Sequence, residues 1–136
     1  MRRTLGVITL AVLATTLIAC GGSDHSSGMG HMGDSAGGAN RPVVAGAREI
    51  PVRANEFSFT PKSMQIRAGV PVALVLTSQD IEHDLYVRGT GHVVHAAADA
   101  TERGGLMMRK PGVYRFWCTV PGHRDGGMTG TITVKA

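Results

Sequence analysis

Residues 117–128, Trp-Cys-Thr-Val-Pro-Gly-His-Arg-Asp-Gly-Gly-Met, constrain this chain more than any other stretch. They put the thiol of Cys118, the imidazole of His123 and the thioether of Met128 on one loop, with four residues between each donor and the next. The glycines let the backbone fold back on itself, so three soft donors can meet at one point. A second imidazole is missing from the loop, and His83, in the segment Asp80-Ile81-Glu82-His83-Asp84-Leu85-Tyr86-Val87, is the best source of it. Two His, one Cys and a weak axial Met make the trigonal environment that copper uses for electron transfer.

At these residues the chain resembles the cupredoxins, the small blue copper proteins. Tyr114-Arg115-Phe116-Trp117-Cys118 is similar to the family's ligand-bearing strand, Pro121-Gly122-His123 to its loop, and residues 129–134 to its closing strand. The Cys-to-His and His-to-Met spacings are similar to those of rusticyanin and auracyanin. The resemblance implies one copper per domain, cycling between Cu(I) and Cu(II) and held by His83, Cys118, His123 and Met128. It also implies that His123 reaches the surface as the electron's exit. The family often carries Asn after the first His, where this chain has Asp84, whose carboxylate accepts hydrogen bonds but donates none. Pro121 has no N–H to offer the sulfur.

The chain begins Met1-Arg2-Arg3, followed by an apolar run over residues 5–19 that is too short for a confident membrane span and reads as a secretory signal. The run ends in Leu17-Ile18-Ala19-Cys20, which resembles a bacterial lipobox and implies cleavage at 1–19 and lipid on Cys20. The full chain has 14 basic and 10 acidic side chains, and loss of Arg2 and Arg3 leaves 12 basic ones. The basicity is thus mostly a targeting signal. No basic stripe interleaved with aromatics calls for nucleic acid. With Cys20 lipidated, Cys118 is the one remaining thiol of the two in the sequence, and metal ligation explains an exported Cys without a partner.

Residues 21–40 hold seven glycines and four serines, with almost nothing to bury. A flexible linker over 20–45, a disordered tether with a reach of roughly 25–30 Å, is expected. Inside it, His25, Met29, His31 and Met32 form a tract that can bind copper weakly, against the plainer reading of incidental linker residues.

The folded domain is expected over 46–136, about 90 residues and enough for one modest core. Residues 48–54 alternate polar with apolar, 64–67 form a short strand and 70–77 a dense aliphatic run. Turns are expected at Thr60-Pro61, Ala68-Gly69 and Lys110-Pro111-Gly112. No segment has a helical period of useful length, so the fold class is all-β, a Greek-key β-sandwich of cupredoxin type. Residues 88–100 have no clear pattern; their His92 and His95 read as surface or structural histidines rather than a second metal site. Of Met107 and Met108, at most one faces the core.

A binuclear copper centre is disfavoured, because its family needs two loop cysteines. A multicopper oxidase is excluded by the absence of His-x-His pairs and by the chain's length. Zinc accepts Cys and His but leaves Met128 unexplained. An enzyme is the least favoured class, because four protein ligands leave no open position for substrate. The expected function is a monomeric electron shuttle outside the cytoplasm, lipid-anchored to the cell membrane. It would pass electrons between redox proteins such as a c-type cytochrome and a terminal oxidase or reductase. The alternative is a copper chaperone or buffer in extracytoplasmic copper homeostasis.

Overall fold

The computed structural model describes residues 39–136. The expected signal at 1–19, the lipidated Cys20 and the tract His25, Met29, His31 and Met32 lie outside the described residues.

Among the described residues, nine strands form two facing sheets, as expected for a β-sandwich. They are β1 (Arg48–Asn55), β2 (Ser58–Thr60), β3 (Ser63–Arg67), β4 (Val72–Ser78), β5 (His83–Val87), β6 (Gly91–Ala96), β7 (Thr101–Leu106), β8 (Gly112–Trp117) and β9 (Thr129–Lys135). One sheet has the order β2-β1-β4-β7 and the other β3-β9-β8-β5-β6. β1 runs parallel to β4 and β3 parallel to β9, while the other pairings are antiparallel.

The alternation legible in β1 buries Ile50, Val52 and Ala54 and exposes the residues between them. In β8, Phe116 points inward and packs on Phe59 of the opposite sheet, with ring centroids 5.2 Å apart, while its neighbours Arg115 and Trp117 point the other way. Leu74, Leu76, Leu85 and Ile132 complete the centre of the core. Gly130 is required where β9 crosses Phe116. A Cβ there would overlap Phe116 Cζ and come within 2.5 Å of the Lys62 carbonyl.

The patternless stretch 88–100 resolves into a turn and the edge strand β6. A bulge between Leu85 and Tyr86 leaves Leu85 opposite Val94 and Tyr86 opposite His92, so Val93 is the extra residue. Val93 and Val94 are therefore both buried, and the period-2 signal is lost. β7 is hidden for another reason. Its Gly104 and Gly105 have no strand propensity, but a Cβ on them would overlap the carbonyls of Val93 and Pro42 respectively. That approach ties residues 40–42 to the sandwich. The Arg41 N–H donates to Val93 O at 3.0 Å, and the Gly105 N–H donates to Arg41 O at 2.9 Å. Ordered packing thus begins ahead of position 46, inside the stretch that composition alone assigns to the linker. Met108 is buried and Met107 exposed, so one of the pair faces the core.

Candidate metal centre

The site sits where β5 begins and β8 ends. His83 is the first residue of β5, and Cys118 follows the last residue of β8. The loop from Cys118 to Met128 closes on itself through the backbone. The His123 N–H donates to Val120 O at 3.1 Å, the Gly126 N–H to Gly122 O at 2.9 Å and the Met128 N–H to His123 O at 3.0 Å. Cys118 N–H donates to Met128 O at 3.2 Å, which seals the two ends together. Gly122 and Gly127 have φ of 83° and 101°, a region that favours glycine.

This closure sets His123 Nδ1 3.5 Å from Cys118 Sγ, and β5 brings His83 Nδ1 to 3.9 Å from the same sulfur. One donor atom from each of the three residues lies within 4.8 Å of the other two, and all three side chains are buried. These separations fit a single ion. Trigonal bonds of about 2.3 Å to sulfur and 2.0 Å to nitrogen place the two donors roughly 3.7 Å apart, and the observed distances bracket that value. Met128 is fully buried, and its backbone bonds to both Cys118 and His123 hold it against the same loop. A buried thiol, two imidazoles and a thioether form a donor set for copper.

Surrounding groups orient these donors. His83 Nε2 is 2.7 Å from Asp80 Oδ1, so the ring proton sits on Nε2 and the Nδ1 lone pair faces the sulfur. Asp80 is itself held by the N–H groups of Glu56 at 2.7 Å and Ile81 at 2.8 Å. Burial works against its charge, but the bonds from Glu56, His83 and Ile81 together keep its carboxyl below the ordinary carboxylate range. Asp84 does what its acceptor-only chemistry implies: buried, it takes hydrogen bonds from the Thr119 N–H and the Thr119 hydroxyl, clamping β5 to the residue after Cys118. Its own N–H lies 3.5 Å from Cys118 Sγ, and the Val120 N–H also reaches the sulfur. Donors to the thiolate therefore exist despite Pro121.

Burial pushes the Cys118 thiol up to about 12, against pulls from those two N–H groups; the nearby Asp84 charge adds to the rise. Without metal the sulfur keeps its proton at neutral pH.

One expectation is corrected. His123 does not reach the surface: it is 3 % exposed. Phe57, from the turn between β1 and β2, lies edge-on to its ring with centroids 5.4 Å apart, and Phe57 itself is 44 % exposed. Glu56 Oε1 lies 3.7 Å from His123 Nε2. The β1–β2 turn thus caps the imidazole. Sequence reasoning did not single out Asp80, Glu56 or Phe57; the only signal was an Asp three positions before His83.

His92 and His95 do not make a second metal cluster among the described residues. His95 Nε2 pairs with Glu82 Oε2 at 3.2 Å, and His92 faces Asp84 Oδ2 at 3.9 Å.

The model of the copper binding proteins of the plastocyanin/azurin family matches residues 47–135. The copper-resistant cuproprotein CopI of Rubrivivax gelatinosus is 28 % identical over 153 residues, covering 92 % of each chain. Among solved structures, auracyanin B is similar with a TM-score of 0.62 at 21 % identity, over 74 % of this chain and 97 % of that one. The dithionite-reduced auracyanin of Roseiflexus castenholzii follows with a TM-score of 0.57 at 18 % identity, over 66 % of this chain and 98 % of that one. At these identities the two structures speak for the fold.

Proposed function

The chain belongs to the plastocyanin/azurin family of copper-binding proteins, and from that premise we propose that it is an electron carrier with one mononuclear copper held by His83, Cys118, His123 and Met128. The observation that carries this reading is the convergence of two imidazole Nδ1 atoms on one buried thiol sulfur. Bound copper supplies the one-electron change between Cu(I) and Cu(II), whose preferred geometries differ.

The chain's own part is to hold the donors still. Cys118 would hold the metal as thiolate, so metal uptake would release the thiol's proton. Asp80 prevents His83 from turning, and Asp84 prevents residue 119 from drifting away from β5. The backbone seal between Cys118 and Met128 keeps the loop from opening between redox states. A donor set anchored in this way needs little rearrangement when the charge changes. Met128 would complete the donor set, and a thioether there would favour a higher potential than an oxygen donor. Four protein donors, with Phe57 packed against His123, favour a carrier over an enzyme. In this reading Cys20 bears lipid, the carrier stands outside the cytoplasm on its tether, and its partners are redox proteins such as a c-type cytochrome or a terminal oxidase or reductase.

A second reading, copper capture and buffering, is favoured by the similarity to a protein named copper-resistant over nearly the whole chain. There the tract at His25, Met29, His31 and Met32 would feed the folded site. Voltammetry of the copper-loaded chain, paired with challenge by a copper chelator, separates the two. Reversible one-electron cycling with copper retained supports the carrier. Rapid loss of copper to the chelator, with loading abolished by deletion of residues 24–34, refutes it in favour of buffering.

A further inference from the structure

The outer face of the β5-β8-β9 sheet carries a basic cleft beside the metal centre. Tyr86 pairs with Trp117 across β5 and β8, and continuing that register sets Arg88 opposite Arg115, where the Arg88 N–H donates to Arg115 O at 2.9 Å. Residues 115 and 117 share the outward face because side chains alternate along a strand. From the metal loop, Arg124 lays its guanidinium carbon 4.5 Å from the centroid of the Trp117 ring, which also packs on Tyr86 at 4.8 Å. Arg88, Arg115 and Arg124 together with Trp117 and Thr129 line a cleft of about 190 Å³ that no acidic side chain lines. None of the three guanidiniums makes an ion pair among the described residues. Asp125 follows Arg124 in sequence but stays outside the cleft.

Like charges placed opposite each other across two strands weaken a sheet. Two arginines in that relation, joined by a third, leave this face of the free protein short of counter-charge. They are three of the 14 basic side chains of the full chain. The cleft is floored by Trp117, the residue bonded to Cys118, so whatever docks here sits one residue from the sulfur. A guanidinium recognises carboxylates in pairs of hydrogen bonds, and the half-buried Trp117 beside it adds contact area. Opposite charge on a partner also speeds the encounter.

We infer that the Arg88–Arg115–Arg124 cleft around Trp117 is the docking site for a carboxylate-rich face of a partner protein. The inference names the chemistry of the partner for the carrier proposed above, and rests on that reading for its purpose but not for its test.

The test is an NMR titration of the full chain, carrying reduced, diamagnetic copper, with a twelve-residue polyglutamate peptide at low salt. Trp117 is the only tryptophan, so its indole N–H gives one resonance that reports on the cleft. The expected result is saturable shifts at Trp117, Arg88, Arg115 and Arg124. Affinity should fall roughly tenfold or more between low and physiological salt, as for other steered encounters. In the R88Q/R115Q/R124Q variant the Trp117 shift should vanish. A control that removes the same charge elsewhere, R53Q/R67Q/R109Q, should retain it. Shifts spread over the whole surface, equal losses in both variants, or the same Trp117 response to inorganic phosphate at matched concentration would each overturn the inference, the last because it marks a small-anion site. A chain that failed to take up copper would still give the cleft's shifts, so the two readings fail separately.

Discussion

Raising the pH of the metal-free protein tests how deeply Cys118 is enclosed. Burial lifts its thiol from 9.0 to about 12. The folded value lies above the unfolded one, so the thiol's contribution to stability is complete below pH 9 and is lost progressively as the pH climbs toward 12. Each pH unit in that window costs about 1.4 kcal/mol, the free-energy equivalent of one pKa unit. At pH 10 the unfolded state has released the proton and the folded state has not, so about 1.4 kcal/mol should be missing relative to pH 7. Lysines and tyrosines also begin to titrate there. The reference is therefore Cys118→Ser, which keeps a small hydroxyl in the same place but has no proton to lose in this range. Urea denaturation followed by circular dichroism at pH 7 and pH 10 gives the four free energies. The parent should lose about 1.4 kcal/mol more than the variant, and the copper-loaded parent, whose sulfur is already deprotonated, should lose no such increment. Equal losses in metal-free parent and variant would refute the argument, because they would mean the thiol is solvated and the pocket open.

Three further outcomes follow from contacts around the site. Asp84→Ala strips Thr119 of the acceptor for its N–H and hydroxyl, and should destabilise the metal-free fold by about 1–3 kcal/mol in chemical denaturation; Asp84→Asn, which keeps one acceptor oxygen, should recover most of it. If alanine and asparagine behave alike, the clamp between β5 and residue 119 is not what Asp84 provides. Gly130→Ala should cost about 3 kcal/mol, because its methyl meets both Phe116 and the Lys62 carbonyl and the latter cannot swing away; a variant as stable as the parent contradicts the packing. Met128→Gln should keep the colour of the copper form and lower its potential in voltammetry, whereas an unchanged potential removes Met128 from the donor set.

Much of this arrangement is legible in the sequence because local rules and the global fold agree there. The period-2 pattern of β1, the aliphatic run of β4 and the turn residues before β8 each announce a strand by the same physics that buries them. The loop is legible because Cys118, His123 and Met128 are close in sequence and glycines permit the closure. What stayed hidden depends on contacts that no local pattern carries. β6 breaks alternation through its bulge, and β7 uses glycines because other carbonyls press against it, so neither resembles an isolated strand. Phe57 over His123, Glu56 on Asp80 and the packing of residues 40–42 join segments far apart in the chain. The expected exposure of His123 failed for the same reason, since its cover comes from the β1–β2 turn.

The central claim is that one copper ion is held by the sulfur of Cys118 between the rings of His83 and His123. Addition of one equivalent of Cu(II) to the full chain, followed by visible absorption, tests it most directly. The account predicts an intense thiolate-to-copper band in the parent and its loss in a Cys118→Ser variant that remains folded. Only weak absorption from the parent, or a band that survives in the variant, would contradict it.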